Sequence, residues 1–157
     1  MGADSRAYPV GSGSPKSTVI QNTFVEFGVL KTQRTRVTVA QVNAGFTLLP
    51  ALPGVKWRIV DCDMIAYGGA AATATSVDLL GTKAGSASRP LVGAIAALSQ
   101  SARARMGGSN MVILADGASF TAYDVNTKIS VTKQSGGSNL ATCTGIDVIL
   151  SFVAEQG

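Results

Sequence analysis

The chain is 157 residues long, the size of one domain with a short arm, and two full domains would be crowded in it. Hydrophobic residues make up 46% and charged residues 14%, which excludes a disordered chain; with aromatics at only 6%, Ala and Val supply most of the apolar bulk beside many Gly, Ser and Thr. There is no histidine, so His-based triads, His metal ligands and imidazole proton transfer are excluded together.

The net charge of +4 is modest and its carriers are dispersed. Lys31, Arg34 and Arg36 form the densest group, with Lys56/Arg58 and Arg103/Arg105 as pairs. Such positions are either solvated strand faces or a surface that docks on an acidic partner. Nucleic acid is not an expected partner, because aromatic stacking residues are not interleaved with the basic ones. No membrane partner is expected either: the most apolar runs, 90–98 and 146–153, fall short of the roughly 18 residues a spanning helix needs. Met1–Val10 carries no basic segment followed by an apolar one, so no secretory signal is expected. Cys62 and Cys143 are too few for a four-ligand zinc site. Their apolar, strand-like surroundings predict buried free thiols, with a single disulfide as the alternative.

In chain order, residues 1–22 include Pro9-Val-Gly-Ser-Gly-Ser-Pro-Lys16 and lack apolar periodicity, which predicts an extended N-terminal arm ahead of one domain over 23–157. Strands are predicted over 24–30 and 34–40; in the second, Arg34, Arg36 and Thr38 alternate with Thr35, Val37 and Val39, so one face is wet. Asn43-Ala-Gly45 reads as a turn, 46–49 as a short apolar run, and Pro50-Ala-Leu-Pro-Gly54 as a break. In the long strand 55–67, Val55, Trp57 and Ile59 share a face opposite Lys56 and Arg58. Strict alternation would put Asp61 on the apolar face, which predicts either a bulge or a strand that moves from buried to exposed ground. A strand over 73–80 follows, then a loop over 81–88, and 91–101 reads as a short helix or turn. Three further strands are predicted at 111–114, 118–122 and 128–132. The last strand, 146–153, is apolar on both faces and is expected at a sheet centre or an interface. Many short strands, with turn signals roughly every 8–12 residues and no crossover helix, predict an all-β sandwich or barrel.

One motif occurs twice. Ala72-Thr-Ala-Thr-Ser-Val-Asp-Leu79 aligns with Ala141-Thr-Cys-Thr-Gly-Ile-Asp-Val148, 69 residues on, and each copy follows a Gly-Gly pair. Two copies are too few for a solenoid but suit equivalent strands of a double Greek key, the jelly-roll arrangement.

Chemistry-bearing constellations are sparse. Asp61 and Asp63 share a strand face and are candidates for a coupled carboxylate pair, but Lys56, Arg58 and other bases are at hand to neutralise them. Gly107-Gly-Ser-Asn110 lacks the lysine and helix of a phosphate loop, and no Ser or Thr has an evident activating base. Asp116 and Asp124 could bind a cation but lack EF-hand spacing. No enzyme activity, cofactor or metal is expected, which leaves binding or assembly.

The run Val42-Asn-Ala-Gly-Phe-Thr-Leu-Leu-Pro-Ala-Leu-Pro-Gly-Val-Lys-Trp-Arg-Ile-Val60, with Gly68-Gly-Ala-Ala-Ala-Thr-Ala-Thr75 and the closing Ala-Thr-x-Thr-x-Ile-Asp-Val strand, resembles small structural proteins of tailed-bacteriophage virions. Within that group it most resembles capsid decoration, or cement, proteins; the similarity spans about 42–153 and rests on strand-and-turn style. The resemblance implies a jelly-roll-like β-sandwich with an extended N-terminal arm. It implies a place on the outer capsid surface, the major capsid protein as partner, and a homo-oligomer, trimer favoured over dimer. No functional residue carries over by motif. The capsid or subunit contacts inferred from arm position and charge are Arg6, Tyr8, Lys16, Lys31, Arg34 and Arg36. The competing expectation is a tail-tip or fibre module that recognises host carbohydrate or protein, and a weaker one is a ring-forming head–tail joining protein.

Overall fold

Alternation of apolar and polar residues, broken by glycine turns, folds this chain into two antiparallel sheets. The structure, a computed structural model, describes residues 25–100, 102–114 and 122–157. Among them run β1 (Leu30–Thr38), helix α1 (Val39–Ala44), β2 (Phe46–Leu49), β3 (Val55–Tyr67), β4 (Ser76–Lys83) and β5 (Ser86–Ala94). A 3-10 turn (Ile95–Ala97), β6 (Ala104–Arg105), β7 (Met111–Ile113), β8 (Ile129–Lys133) and β9 (Gly145–Gln156) complete the set. One sheet has the order β1-β9-β3-β6 and the other β2-β8-β4-β5-β7. In the first, β9 returns to lie between β1 and β3; in the second, β8 returns to lie between β2 and β4. Two nested Greek keys of this kind are a jelly roll, and β7 adds one strand to an edge. The expected all-β, jelly-roll-like sandwich is therefore the fold; the arm lies outside the described residues.

The inward faces build one core. From β3 come Val55, Trp57 and Ile59, then Cys62, Met64 and Ala66; from β9 come Ile146, Val148, Leu150, Phe152 and Ala154. Facing them are Val77 and Leu79 of β4, Leu91 of β5, and Ile129 and Val131 of β8. Trp57 packs edge-on against Phe152, ring centroids 5.6 Å apart, and donates its indole N–H to the Pro50 carbonyl at 2.9 Å. The inward phase changes from odd to even residues because the pairing with β9 jumps from Ile59↔Phe152 to Asp61↔Ser151, leaving Val60 as the extra residue of a bulge. Without that bulge Asp61 and Asp63 would point into the core. At Gly81 a Cβ would lie 2.5 Å from the ring of buried Tyr123, so only glycine fits.

Several local expectations need correction. The predicted 24–30 strand is confined to an isolated bridge, Phe27 to Ala154, before β1 begins. The chain after Thr38 turns into α1 instead of continuing extended to Ala40. Thr38 Oγ1 accepts from the Gln41 N–H while Gln41 Oε1 accepts from the Thr38 N–H at 2.9 Å, a capping box that nucleates the turn. The predicted 81–88 loop is a tight hairpin around Ala84-Gly85, and 91–94 belongs to β5, so only 95–97 is helical. The predicted 118–122 strand falls largely outside the described residues. Both cysteines are free thiols, but Cys143 is only partly buried.

The repeated motif is a physical pseudo-two-fold. Ala72 and Ala141, aligned in sequence, pair with each other, N–H to carbonyl in both directions at 3.1 and 3.0 Å. The following threonines, Thr73 and Thr142, both adopt positive φ, 70° and 66°. Their hydroxyls donate to the matching carbonyls across the axis, Thr73 to Asn139 and Thr142 to Ala70. The Thr75 carbonyl accepts from the Ile95 N–H, where the 3-10 turn follows β5; the Thr144 carbonyl accepts from the Val39 N–H, where α1 follows β1. The axis thus exchanges β9 with β4 and β1 with β5.

Candidate functional site: an arginine-covered sheet face

β9 lies in the middle of its sheet, so its outward residues are flanked on both sides. Asp147 faces Arg36 of β1 and Ile65 of β3; Ile149 faces Arg34 and Asp63; Val153 faces Leu30 and Arg58. At the far edge Arg105 of β6 stands opposite Asp63. The outer face carries an aliphatic centre, Ile65 and Ile149, with arginines along two opposite edges.

Asp147 organises the β1 edge. It accepts from Arg36 Nε and Nη2 at 2.8 and 2.9 Å and from Arg34 Nη2 at 2.6 Å. The Arg36 hydrogen bonds hold its carboxyl at about 2, with Arg34 assisting and burial opposing. Hydrogen bonding to Asp147 raises the Arg36 guanidinium in turn, and Arg36 lies over the Tyr67 ring, 4.2 Å from its centroid. At the β6 edge Arg103 Nε is 3.3 Å from Asp63 Oδ2, and Arg105 Nη2 is 3.0 Å from Asp61 Oδ2. Asp63 Oδ1 is buried without a hydrogen bond, with Arg105 Nε 4.0 Å away.

The layering matters more than the charge sum. The Arg34, Arg36, Arg103 and Arg105 side chains are 54–61% exposed, whereas those of Asp147 and Asp63 are 8% and 12% exposed. Buried Asp147 and Asp63, together with Asp61, whose side chain is 34% exposed, hold the guanidinium groups in place, and the exposed guanidinium edges form the outermost layer of the face. Arginine and tyrosine around aliphatic residues is the composition of protein–protein contact centres.

Of the residues inferred from sequence, Arg34 and Arg36 are brought together on this face. Lys31 is not with them. Strand alternation turns it to the other side of β1, where it pairs with Glu26 at 3.6 Å and lines an apolar groove of about 310 Å³ with Leu48, Trp57 and Phe152. Arg6, Tyr8 and Lys16 lie outside the described residues. The sequence reading missed Arg103 and Arg105 as members of the face. Their signal was the Arg-x-Arg spacing that Arg34 and Arg36 share, which puts both side chains on one side of a strand. Among the bases expected to neutralise Asp61 and Asp63, Arg105 and Arg103 are the ones paired with them, and Arg58 pairs with Glu155.

Burial pushes the Cys62 thiol well above its ordinary range, with Asp63 and Asp61 adding to the effect. Asp124 is occupied capping the β4–β5 hairpin, accepting from the Ala84 and Gly85 N–H groups. No protein-family model, no curated protein and no solved structure matches this chain.

Proposed function

We propose that this is a structural virion protein that binds the outer surface of a phage capsid and stabilises it by bridging neighbouring major capsid proteins. The observation that carries the reading is the face of four exposed guanidinium groups on a jelly-roll sheet, anchored by buried Asp147 and Asp63 and by the partly exposed Asp61. Such a face matches a carboxylate-rich protein surface and contributes little to chemistry. Repeating a modest contact many times over a lattice gives avidity without a tight single contact. In this reading the protein is not an enzyme, uses no cofactor, and acts at the particle surface.

The same reading makes it a homo-oligomer, with a trimer favoured over a dimer. Phe27, Val29 and Leu30 are 46%, 43% and 58% exposed at the entry to β1, and half-buried Val153 continues their apolar surface onto the outer face. Sister subunits would cover that patch. Host-carbohydrate recognition finds less support: Trp57 and Tyr123 are buried and Tyr67 lies beneath Arg36, so none of the three offers an open stacking platform.

The test is co-sedimentation of purified protein with undecorated shells of the phage that encodes it. Wild-type protein is expected to bind at hundreds of copies per particle. Arg34→Gln/Arg36→Gln should bind at least about tenfold more weakly, since each 1.4 kcal/mol is a factor of ten and a desolvated charge contact is worth at least that. Undiminished occupancy of the folded variant would remove the face from the account.

A further inference from the structure

The internal two-fold has a chemical counterpart. Asp78 is the sequence mate of Asp147, and it too is buried and held by an arginine: Arg89 Nη1 donates to Asp78 Oδ2 at 2.9 Å, with side-chain exposures of 43% and 1%. The axis that exchanges β9 with β4 and β1 with β5 carries Arg34 onto the position of Arg89. Arg34 stands opposite Ile149. The mate of Ile149 is Leu80, and Leu80 lies at the β4–β5 bulge, between the pairs Leu79↔Leu91 and Gly81↔Ser88, which places Arg89 beside it. Ile149 and Leu80 are both half-buried. Beyond them, Val112 of β7 is 49% exposed and lies opposite Val92, which itself lies opposite Asp78.

We propose that this surface of the second sheet is a second docking face, quasi-equivalent to the Arg34 face, that takes another copy of the same carboxylate-bearing partner. The inference rests on the docking role given above and deepens it by saying how one chain bridges two partners. A buried carboxylate is costly for the fold unless paired, and an aliphatic residue would serve the interior as well. Both halves nevertheless keep the Asp and present the guanidinium outward, so exposed cation is the property common to the two sides. The faces point away from each other across a sandwich whose sheets pack about 10 Å apart. One chain seated between two acidic walls would touch both, and the two contacts reinforce each other through effective concentration.

The test uses the full-length protein and a hexaglutamate peptide, followed by NMR of the arginine side-chain N–H signals, with hexaglutamine as control. The expected result is two peptides per chain, with Arg34 and Arg89 signals shifting over the same concentration range. Asp78→Asn/Arg89→Gln, which removes the pair without stranding the buried carboxylate, should leave one peptide per chain and an unaltered Arg34 response. Arg34→Gln/Arg36→Gln should weaken the response of the remaining first-face arginines, Arg103 and Arg105, and leave the Arg89 response unaltered. Shifts at the Arg34 face alone would overturn the second face while leaving single-face docking to the particle assay. Shifts at neither face, or equal shifts with hexaglutamine, would overturn it as well.

Discussion

Asp147 is the residue on which the β1 edge of the arginine face depends. Its carboxyl titrates lower in the folded chain than in the unfolded one, so it contributes stability that is present above the ordinary Asp range, near pH 4, and is lost as pH falls through about 2. Thermal melts between pH 5 and pH 2 should therefore show a steeper loss of Tm for wild type than for Asp147→Asn; parallel curves would mean that the Arg36 and Arg34 contacts add nothing to the fold. The cysteines make a second residue-scale test. Cys62 is fully buried and its thiol is held protonated, whereas Cys143 is partly accessible. Iodoacetamide on native protein should modify Cys143 first and reach Cys62 only on unfolding, as read by peptide mass. Gly81→Ala drives a methyl into the Tyr123 ring and is expected to cost about 1–3 kcal/mol in a urea titration.

At the scale of elements, the two threonines beside the pseudo-two-fold axis should behave alike. Thr73→Val and Thr142→Val each keep the branched side chain at positive φ and each lose one cross-axis hydrogen bond. Each should cost about 1 kcal/mol, and the two losses should agree within about 0.5 kcal/mol. A loss confined to one site would mean the symmetry is one of shape and not of energy. Much of this level could be read from the residues. The Asp61 anomaly in an otherwise alternating strand left a bulge or a buried-to-exposed transition open, and the register shift between Ile59 and Asp61 shows the bulge, a one-residue slip that keeps a carboxylate out of the core. The doubled Ala-Thr-x-Thr motif foretold equivalent strands, β4 and β9, in the two sheets, because equal sequence at equal spacing makes equal turns. What escaped was local competition. Thr38-x-x-Gln41 carries a capping box, yet the preceding alternation reads as strand to Ala40, and the two signals overlap. Lys31 was grouped with Arg34 and Arg36 by proximity along the chain, although an odd–even difference sends it to the opposite side.

For the whole molecule, two jelly-roll sheets enclose the core, and the make-up of their outer faces was the least legible part of the sequence. Arg103 and Arg105 join the face only because β6 pairs with β3, a contact between residues about forty positions apart that no local pattern announces. Residues 1–22, expected to reach over the capsid or a sister subunit, provide a further test. Their deletion should leave the sandwich folded, with a near-native melting transition, while lowering shell occupancy. A full reconstruction of the particle reads the central claim most directly. The account predicts hundreds of copies on the outer lattice, seated at joints between major capsid proteins with the Arg34–Arg36 face against acidic side chains. A handful of copies at the tail, or a lattice position with that face turned to solvent, would contradict it.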